Sequence, residues 1–420
     1  MNSRERVLAA LDHRQPDRVP LDLGGSVLTG MQASSVYKLR QALRLDPPGT
    51  PVKVLDPYQM LGEIQSDLVE AVGADVLPVP AYTTLFGYKR EGWKPWRLFD
   101  GTPVLVPEAF NTEADENGDI LMYPEGDRSV PPSARMPQGG YYFDEIVRQP
   151  PLDEARLDPA DNCEEFTILS KEAVRYFAAE ADRLTRSTDK ALFAGFCFSS
   201  FGDIALVPAP WLKRPRGIRD IEEWYVSTLT RRDYIWKVFE RQAEVALANL
   251  SLLHAALSDR VHVTLVTGTD FGAQTTSFIS PQSYRDLYQP FHRAVNDWVH
   301  RHTRWKTFIH SCGSVLELIP EFIASGFDIL NPVQTAAAGM DPRRLKERFG
   351  ERLVFWGGGV DTQRTLPFGT PAQVREQVRE RLDAFGRRGG GFVFAAVHNI
   401  QAGVPVENLL ALFQAVRDYR

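Results

Sequence analysis

A histidine and a cysteine stand two residues apart at the end of the apolar run WKTFIHSC. They are His310 and Cys312, and side chains at positions i and i+2 of a strand point to the same side. Imidazole nitrogen and thiolate sulfur are donors that zinc prefers, and a catalytic zinc keeps an open fourth position. A second histidine, His398, ends the run GFVFAAVHN. The sequence therefore predicts a His2Cys zinc site. The alternative is that Cys312 is a buried apolar residue and that both histidines are hydrogen-bonded polar groups.

Eight short apolar runs alternate with helical patterns and are the predicted strands that would position this site. Continuous apolar runs are typical of strands buried on both faces, as in parallel sheets. The segments SPQSYRDLYQPFHRAVNDWVHRH and TPAQVREQVRERLDAFGRR begin with a helix-start signal, Ser-Pro or Thr-Pro. The pattern predicts an α/β fold, a single (β/α)8 TIM barrel over residues 1–420. The predicted strands are 19–24, 74–80, 191–198, 261–269, 304–312, 327–334, 352–360 and 391–399.

The segment 93–150 interrupts this alternation. It is rich in Gly, Pro, Asp and aromatic residues, and its stretches DGTPVLV and NGDILMYPEG are typical of short hairpin strands. We predict a β-hairpin insertion between the second and third barrel strands. It is either a lid over the barrel mouth or a surface elaboration or dimer contact. The segment 201–225 is a second candidate for a cap over the site.

Polar residues follow the predicted strands, and barrel enzymes carry their active sites at these carboxyl ends. Asp270 could orient a metal-bound histidine, bind substrate or act as a general base, unless it only caps the next turn. Asp361 follows three glycines, which allow a ligand to approach the backbone closely. Together with His398, these two carboxylates are the predicted catalytic residues. The predicted cofactor contacts are Asn331, Gln334, Gly358, Gln363 and Gln401.

Composition excludes several classes of protein. The net charge is −6 at pH 7 and the 420 residues contain no long basic run, so nucleic acid is not an expected partner. No apolar stretch approaches the roughly 20 residues of a membrane span, so no membrane association is expected. The three cysteines form no disulfide framework, which predicts a cytoplasmic protein, and Cys197 is expected to be a core residue. A homodimer is the commonest oligomeric state for such an enzyme.

Several motifs together resemble the uroporphyrinogen decarboxylase superfamily. They cover most of the chain and include RERVLAALDHRQPDRVP, TDFG, SPQSYRDLYQP, HSCGSV, GFDILNPVQ, FWGGGVDTQ and HNIQAGVPVEN. The resemblance implies a (β/α)8 barrel and one of two chemistries. One is porphyrinogen decarboxylation without a cofactor, and the other is zinc-dependent methyl transfer to or from a corrinoid. The pair His310 and Cys312 is similar to the methyltransferase branch, and the arginine-rich motif of the decarboxylases is absent after the first strand.

The resemblance therefore implies a zinc-dependent methyltransferase with a corrinoid (cobalamin) as co-substrate. Its small-molecule methyl donor or acceptor would be a thiol or a methyl ether. No D-x-H-x-x-G motif is present, so the corrinoid would arrive on a separate corrinoid protein or free in solution. In that branch the third zinc ligand is usually a cysteine where this chain has His398, which leaves the third ligand open. The alternatives are a cofactor-free decarboxylase or lyase that uses Asp270 and His398, and a barrel that binds a ligand without turnover.

Overall fold

The computed structural model of the protein describes residues 1–195, 199–387 and 389–419. The strands of this part of the chain are β1 (Val52–Asp56), β2 (Leu61–Gly62), β3 (Val76–Val79), β4 (Lys94–Arg97), β5 (Pro103–Val106), β6 (Thr112–Ala114), β7 (Ile120–Met122), β8 (Ala134–Met136), β9 (Asp144–Glu145), β10 (Ala191–Ala194), β11 (Val263–Thr267), β12 (Lys306–His310), β13 (Ile329–Asn331), β14 (Val354–Trp356) and β15 (Phe392–Val393).

The α-helices of the same part of the chain are α1 (Ser3–Leu11), α2 (Ala33–Ala42), α3 (Ser66–Val72), α4 (Lys171–Ser187), α5 (Ile221–Thr230), α6 (Arg232–Leu257), α7 (Pro281–Leu287), α8 (Gln289–His302), α9 (Ile319–Ala324), α10 (Pro342–Phe349), α11 (Thr365–Phe368), α12 (Pro371–Phe385) and α13 (Val406–Asp418). The segment predicted as one helix after Ser280 forms two, α7 and α8, because Pro290 lacks the amide hydrogen that a continuous helix needs. No helix in the described ranges is long and apolar enough to cross a membrane.

Seven parallel strands form the central sheet of the described residues, in the order β3-β10-β11-β12-β13-β14-β15. Each strand lies within one of the predicted apolar runs, from the second to the eighth. Neighbours in the sheet are successive in this series, and at least one α-helix lies in the chain between each strand and the next. The fold is therefore α/β with a parallel sheet that is consistent with a TIM-like barrel. The third run was predicted to reach residue 198, but 196–198, including Cys197, lie outside the described residues.

The first predicted strand, 19–24, is represented by a single residue bridge. Leu21 pairs in parallel with Phe394, just beyond β15. The amide of Asp22 donates to the carbonyl of Phe394 over 2.8 Å, and the amide of Asp75, just before β3, donates to the carbonyl of Leu21 over 2.7 Å. The backbone at Leu21 therefore contacts the chain at both edges of the seven-stranded sheet.

Strand periodicity explains which side chains face the inside of the curved sheet. One apolar cluster collects alternate residues of the strands, among them Phe193, Phe308 and Trp356. Their three rings contact one another edge to face, with centroids 4.9 to 5.9 Å apart. Val7 and Leu11 of α1 belong to the same cluster. Because His310 follows Phe308 by two residues, it lies on the same inner face, one step nearer the carboxyl end of β12.

Two antiparallel or mixed sheets lie in the chain between the first predicted strand and β10. One has the order β6-β7-β8-β9, and the other has the order β2-β1-β5-β4. In the second sheet, β4 pairs antiparallel with β5, and β5 pairs in parallel with β1. The strands β1 and β2 lie outside the apolar runs predicted as strands. These strands precede residue 93, so the β-structure outside the central sheet is not confined to the predicted segment 93–150.

Candidate metal and substrate site

Three potential metal ligands converge at the carboxyl ends of two barrel strands. His310 is the last residue of β12, Cys312 lies two residues later, and His398 follows β15. One ligand atom from each lies within 4.8 Å of the other two. The Sγ of Cys312 is 3.4 Å from the Nε2 of His310, and the two imidazole centroids are 5.6 Å apart. The residues that the sequence singled out as zinc ligands are therefore brought together.

Asn331 fixes the orientation of His310 from the neighbouring strand. The register of β12 and β13 places the two residues side by side. The Nδ2 of Asn331 donates to the carbonyl of Trp356 over 2.8 Å, which turns its Oδ1 toward the ring. The Nδ1 of His310 donates to this oxygen over 2.5 Å. The Nε2 of His310 is therefore the atom with the free lone pair, and it faces Cys312. A hydrogen bond on the other ring nitrogen orients metal-binding histidines in this way.

Burial sets the protonation states of the three candidate ligands. It lowers the pKa of both His310 and His398 to about 4, so both imidazoles are neutral near pH 7 and can donate a lone pair. Burial and the nearby carboxylate of Asp270 raise the pKa of the Cys312 thiol well above its usual value. A bound cation reverses this preference because it stabilises the thiolate. The donor set, two neutral imidazoles and one thiol, fits zinc.

Asp270 lies beside Cys312 and holds the loop that carries it. One of its carboxylate oxygens accepts the amide hydrogen of Cys312 over 2.6 Å. Tyr225, the last residue of the segment 201–225 predicted as a cap, donates its hydroxyl to the carbonyl of Asp270 over 2.8 Å. Burial raises the pKa of the Asp270 carboxyl. Asp270 is thus in contact with the loop of the candidate metal site, and its role as a catalytic residue stays a prediction.

Asp203 is a buried carboxyl near this site that the sequence analysis missed. Burial, and then the charge of Asp270, raise its pKa to about 7. Gly268 makes room for it, because a Cβ on this glycine would lie 2.3 Å from an oxygen of Asp203. The only signal in the sequence is the pair of a glycine after an apolar strand and an aspartate in the loop 201–225. No sequence pattern tells which loop residue such a glycine accommodates.

Two cavities meet at His398. One, of about 240 Å³, is also lined by Cys312, Gln334, Asp361 and Gln363. The other, of about 450 Å³, is lined by aromatic residues of the segment 141–143, by Tyr58 and Gln59, and by Gln401. The residues lining both cavities include no arginine or lysine among those the structure describes. A concave site of this kind beside a metal-ligand cluster is typical of a small-molecule binding site.

The remaining predicted site residues lie at different distances from these cavities. Asp361 lines the first cavity, and its carboxylate accepts the amides of Gln363 and Arg364, so it also caps a turn. The Oε1 of Gln334 accepts the amide of Gly313. Gly358 is buried against the backbone at Val333 with a φ of +71°, a conformation that favours glycine. Their roles as catalytic or cofactor-binding residues stay predictions, as do those of Gln401 and of the fully buried Asn331.

Known proteins share the sequence pattern or the fold of this chain. The model of the uroporphyrinogen decarboxylase (URO-D) family matches residues 143–419. A methyltransferase from Methanosarcina mazei superimposes with a TM-score of 0.55 and 15% identity, covering 100% of this chain and 99% of that one, which shows a common fold. A Pescadillo homolog from Neosartorya fischeri is 26% identical over 199 residues, which span 41% of this chain and 28% of that protein. From the family match over most of its length, the chain belongs to the uroporphyrinogen decarboxylase family.

Proposed function

We propose that the protein is a zinc-dependent methyltransferase of this family, which moves a methyl group between a small thiol or methyl ether and a corrinoid. The observation that carries the proposal is the His310–Cys312–His398 cluster, whose ligand atoms lie within 4.8 Å of one another. A porphyrinogen decarboxylase needs cations for several substrate carboxylates. The two cavities that meet at His398 show none among their described lining residues.

The three ligands would hold the zinc, which when bound would act as a Lewis acid on a thiol sulfur or an ether oxygen. The residues around them have separate tasks. Asn331 holds the ring of His310, and Asp270 holds the backbone of Cys312. Substrate would enter by the cavities that meet at His398. We assign Asp270 as the group that accepts or returns a substrate proton, since its carboxyl is buried beside Cys312.

The corrinoid would arrive from outside the chain, on a separate corrinoid protein or free in solution. Asp361, Gln363 and Gln401 line the cavities next to the ligand cluster. We propose these neutral amides and this carboxylate as contacts to the polar edge of the corrinoid. Their position on the same cavities as His398 supports that role.

The same proposal includes a complete barrel. Residues 20–22 would serve as the eighth strand, because Leu21 contacts the chain beside both β15 and β3. The β-structure of segment 93–150 would then stand over the barrel mouth as a lid. Tyr141 and Tyr142 of this segment line the cavity next to His398, which supports the lid.

Metal content tests the proposal first. We expect about one zinc per chain by elemental analysis of protein that has been supplied with zinc, and loss of this zinc in Cys312→Ala. Cys163→Ala is the matched control, because Cys163 is a partly buried free cysteine outside the cluster. Methyl transfer is then followed by the absorbance of methylcobalamin with a panel of thiols. Zinc retained in Cys312→Ala, or decarboxylation by metal-free protein, would reject the methyltransferase in favour of the lyase.

A further inference from the structure

A third cavity, of about 100 Å³, lies near the ends of the first three barrel strands. Its walls include residues that follow the first predicted strand, Pro80 and Ala81 after β3, and Gly195 after β10. None of the three candidate zinc ligands lines it. Most of the lining is apolar or glycine, but two charged residues face the cavity, Asp56 and Arg90. A cation and an anion in one small, largely apolar cavity are costly unless a ligand or each other compensates them.

Arg90 is a half-buried arginine without a described hydrogen-bond partner. Its Nε atom is inaccessible to solvent and makes no hydrogen bond. Burial lowers the pKa of its guanidinium, and the negative charge of Asp56 is the largest effect that raises this pKa. Buried polar groups are satisfied in the great majority of cases, and an arginine carries five donors in a planar fork. An arginine left in this state beside a cavity indicates a missing acceptor.

Asp56 does not supply that acceptor. It is 7% exposed and lies at the end of β1. Its carboxylate accepts the amide hydrogen of Gln59 over 3.2 Å and makes no ion pair with Arg90. Burial raises the pKa of the Asp56 carboxyl. The two side chains therefore present separate groups to the same cavity, an incompletely paired forked donor on Arg90 and a carboxylate acceptor on Asp56.

We propose that this cavity binds a small carboxylic acid with an adjacent hydroxyl or ammonium group. The carboxylate would accept two hydrogen bonds from the fork of Arg90, and the adjacent donor would be held by Asp56. A carboxylate fits better than a phosphate dianion, because Asp56 opposes a second negative charge and Arg90 is the only cation among the described residues of the lining. The volume is on the order of three water molecules, which suits an acid of a few heavy atoms.

Binding of three simple acids to the full, metal-free chain tests this inference. The probes are acetate, glycolate and glycine, titrated at constant ionic strength and followed by ligand-observed NMR. We expect glycolate or glycine to bind more tightly than acetate. Arg90→Met should weaken all three by at least about tenfold, as expected for loss of a charge-assisted hydrogen-bond pair. In Asp56→Asn, glycine should no longer bind more tightly than acetate, whereas glycolate should still bind more tightly than acetate. Arg175→Met, at an exposed position of α4, is the control that should bind as the unchanged protein does.

Three results would overturn the inference. They are no binding of any acid to the unchanged protein, equal binding by Arg90→Met, and tighter binding of inorganic phosphate than of the carboxylates. Arg90→Lys guards against misfolding of the methionine variant, because it keeps the charge but lacks the fork, and it should also bind less tightly. The measurement needs neither zinc nor corrinoid, so its outcome is independent of the proposed methyl transfer.

Discussion

The hydrogen bond from His310 to Asn331 gives a sharp test of the metal site. In Asn331→Ala the imidazole loses the acceptor that fixes its ring and its tautomer, although all three ligands remain. Loss of such an outer partner typically weakens metal binding about 10- to 100-fold. That change corresponds to about 1.4 to 2.7 kcal/mol of binding free energy. The assay is competition for zinc against a chelator of known affinity, with the variant and the unchanged protein measured side by side.

The control must separate loss of zinc binding from loss of stability. Asn249 is also buried, at 4% exposed, and its side-chain amide also makes two hydrogen bonds, both to backbone groups, but it lies on α6 away from the ligands. Asn249→Ala should destabilise the fold and leave zinc affinity unchanged. Zinc binding by Asn331→Ala that is as tight as in the unchanged protein would contradict this prediction. A loss of zinc affinity in Asn249→Ala as large as in Asn331→Ala would also contradict it.

Three further predictions concern stability and use urea unfolding as the measurement. Gly268→Ala should cost about 1 to 3 kcal/mol, because the new Cβ would collide with Asp203, and a change under about 0.5 kcal/mol would contradict this. Trp356→Phe removes the indole hydrogen that Asp22 accepts over 2.8 Å, and it should lower the free energy of unfolding by about 1 to 3 kcal/mol. An unchanged unfolding midpoint would contradict a stabilising role of this hydrogen bond. Burial lowers the pKa of His292 to about 3, below its value of about 6.5 in the unfolded chain. The contribution of this histidine to the free energy of unfolding is therefore fully present above pH 6.5 and is lost as the pH falls. From pH 7 to pH 5 the unchanged protein should therefore lose about 2 kcal/mol more stability than His292→Gln, and equal losses would exclude this histidine as the cause.

The strand pattern explains why much of the site could be predicted. Continuous apolar runs mark parallel strands, and a polar residue at the end of such a run lies at the barrel mouth, which located Cys312 and His398. The hydrogen bond from His310 to Asn331 could not be predicted, because it depends on the register between β12 and β13. Asp203 was missed because a loop, not a strand, carries it to the site. The strand β2 was missed because it has only two residues, and β1 was missed because the polar residues Lys53 and Asp56 keep VKVLD from being a continuous apolar run.

The close approach of the three candidate metal ligands is related to the curvature of the central sheet. In sheet order, β12 and β15 are separated by β13 and β14. In a flat sheet, strands three positions apart lie about 14 Å from one another, and side chains perpendicular to the sheet keep that separation. The rings of His310 and His398 are only 5.6 Å apart. This convergence of residues that end or follow the two strands is expected on the concave side of a strongly curved sheet. The same curvature brings Leu21 into contact with the chain at both sheet edges. A ligand set drawn from distant strands is therefore consistent with the curvature of the sheet, and any change that flattens the sheet between β12 and β15 should separate these ligands.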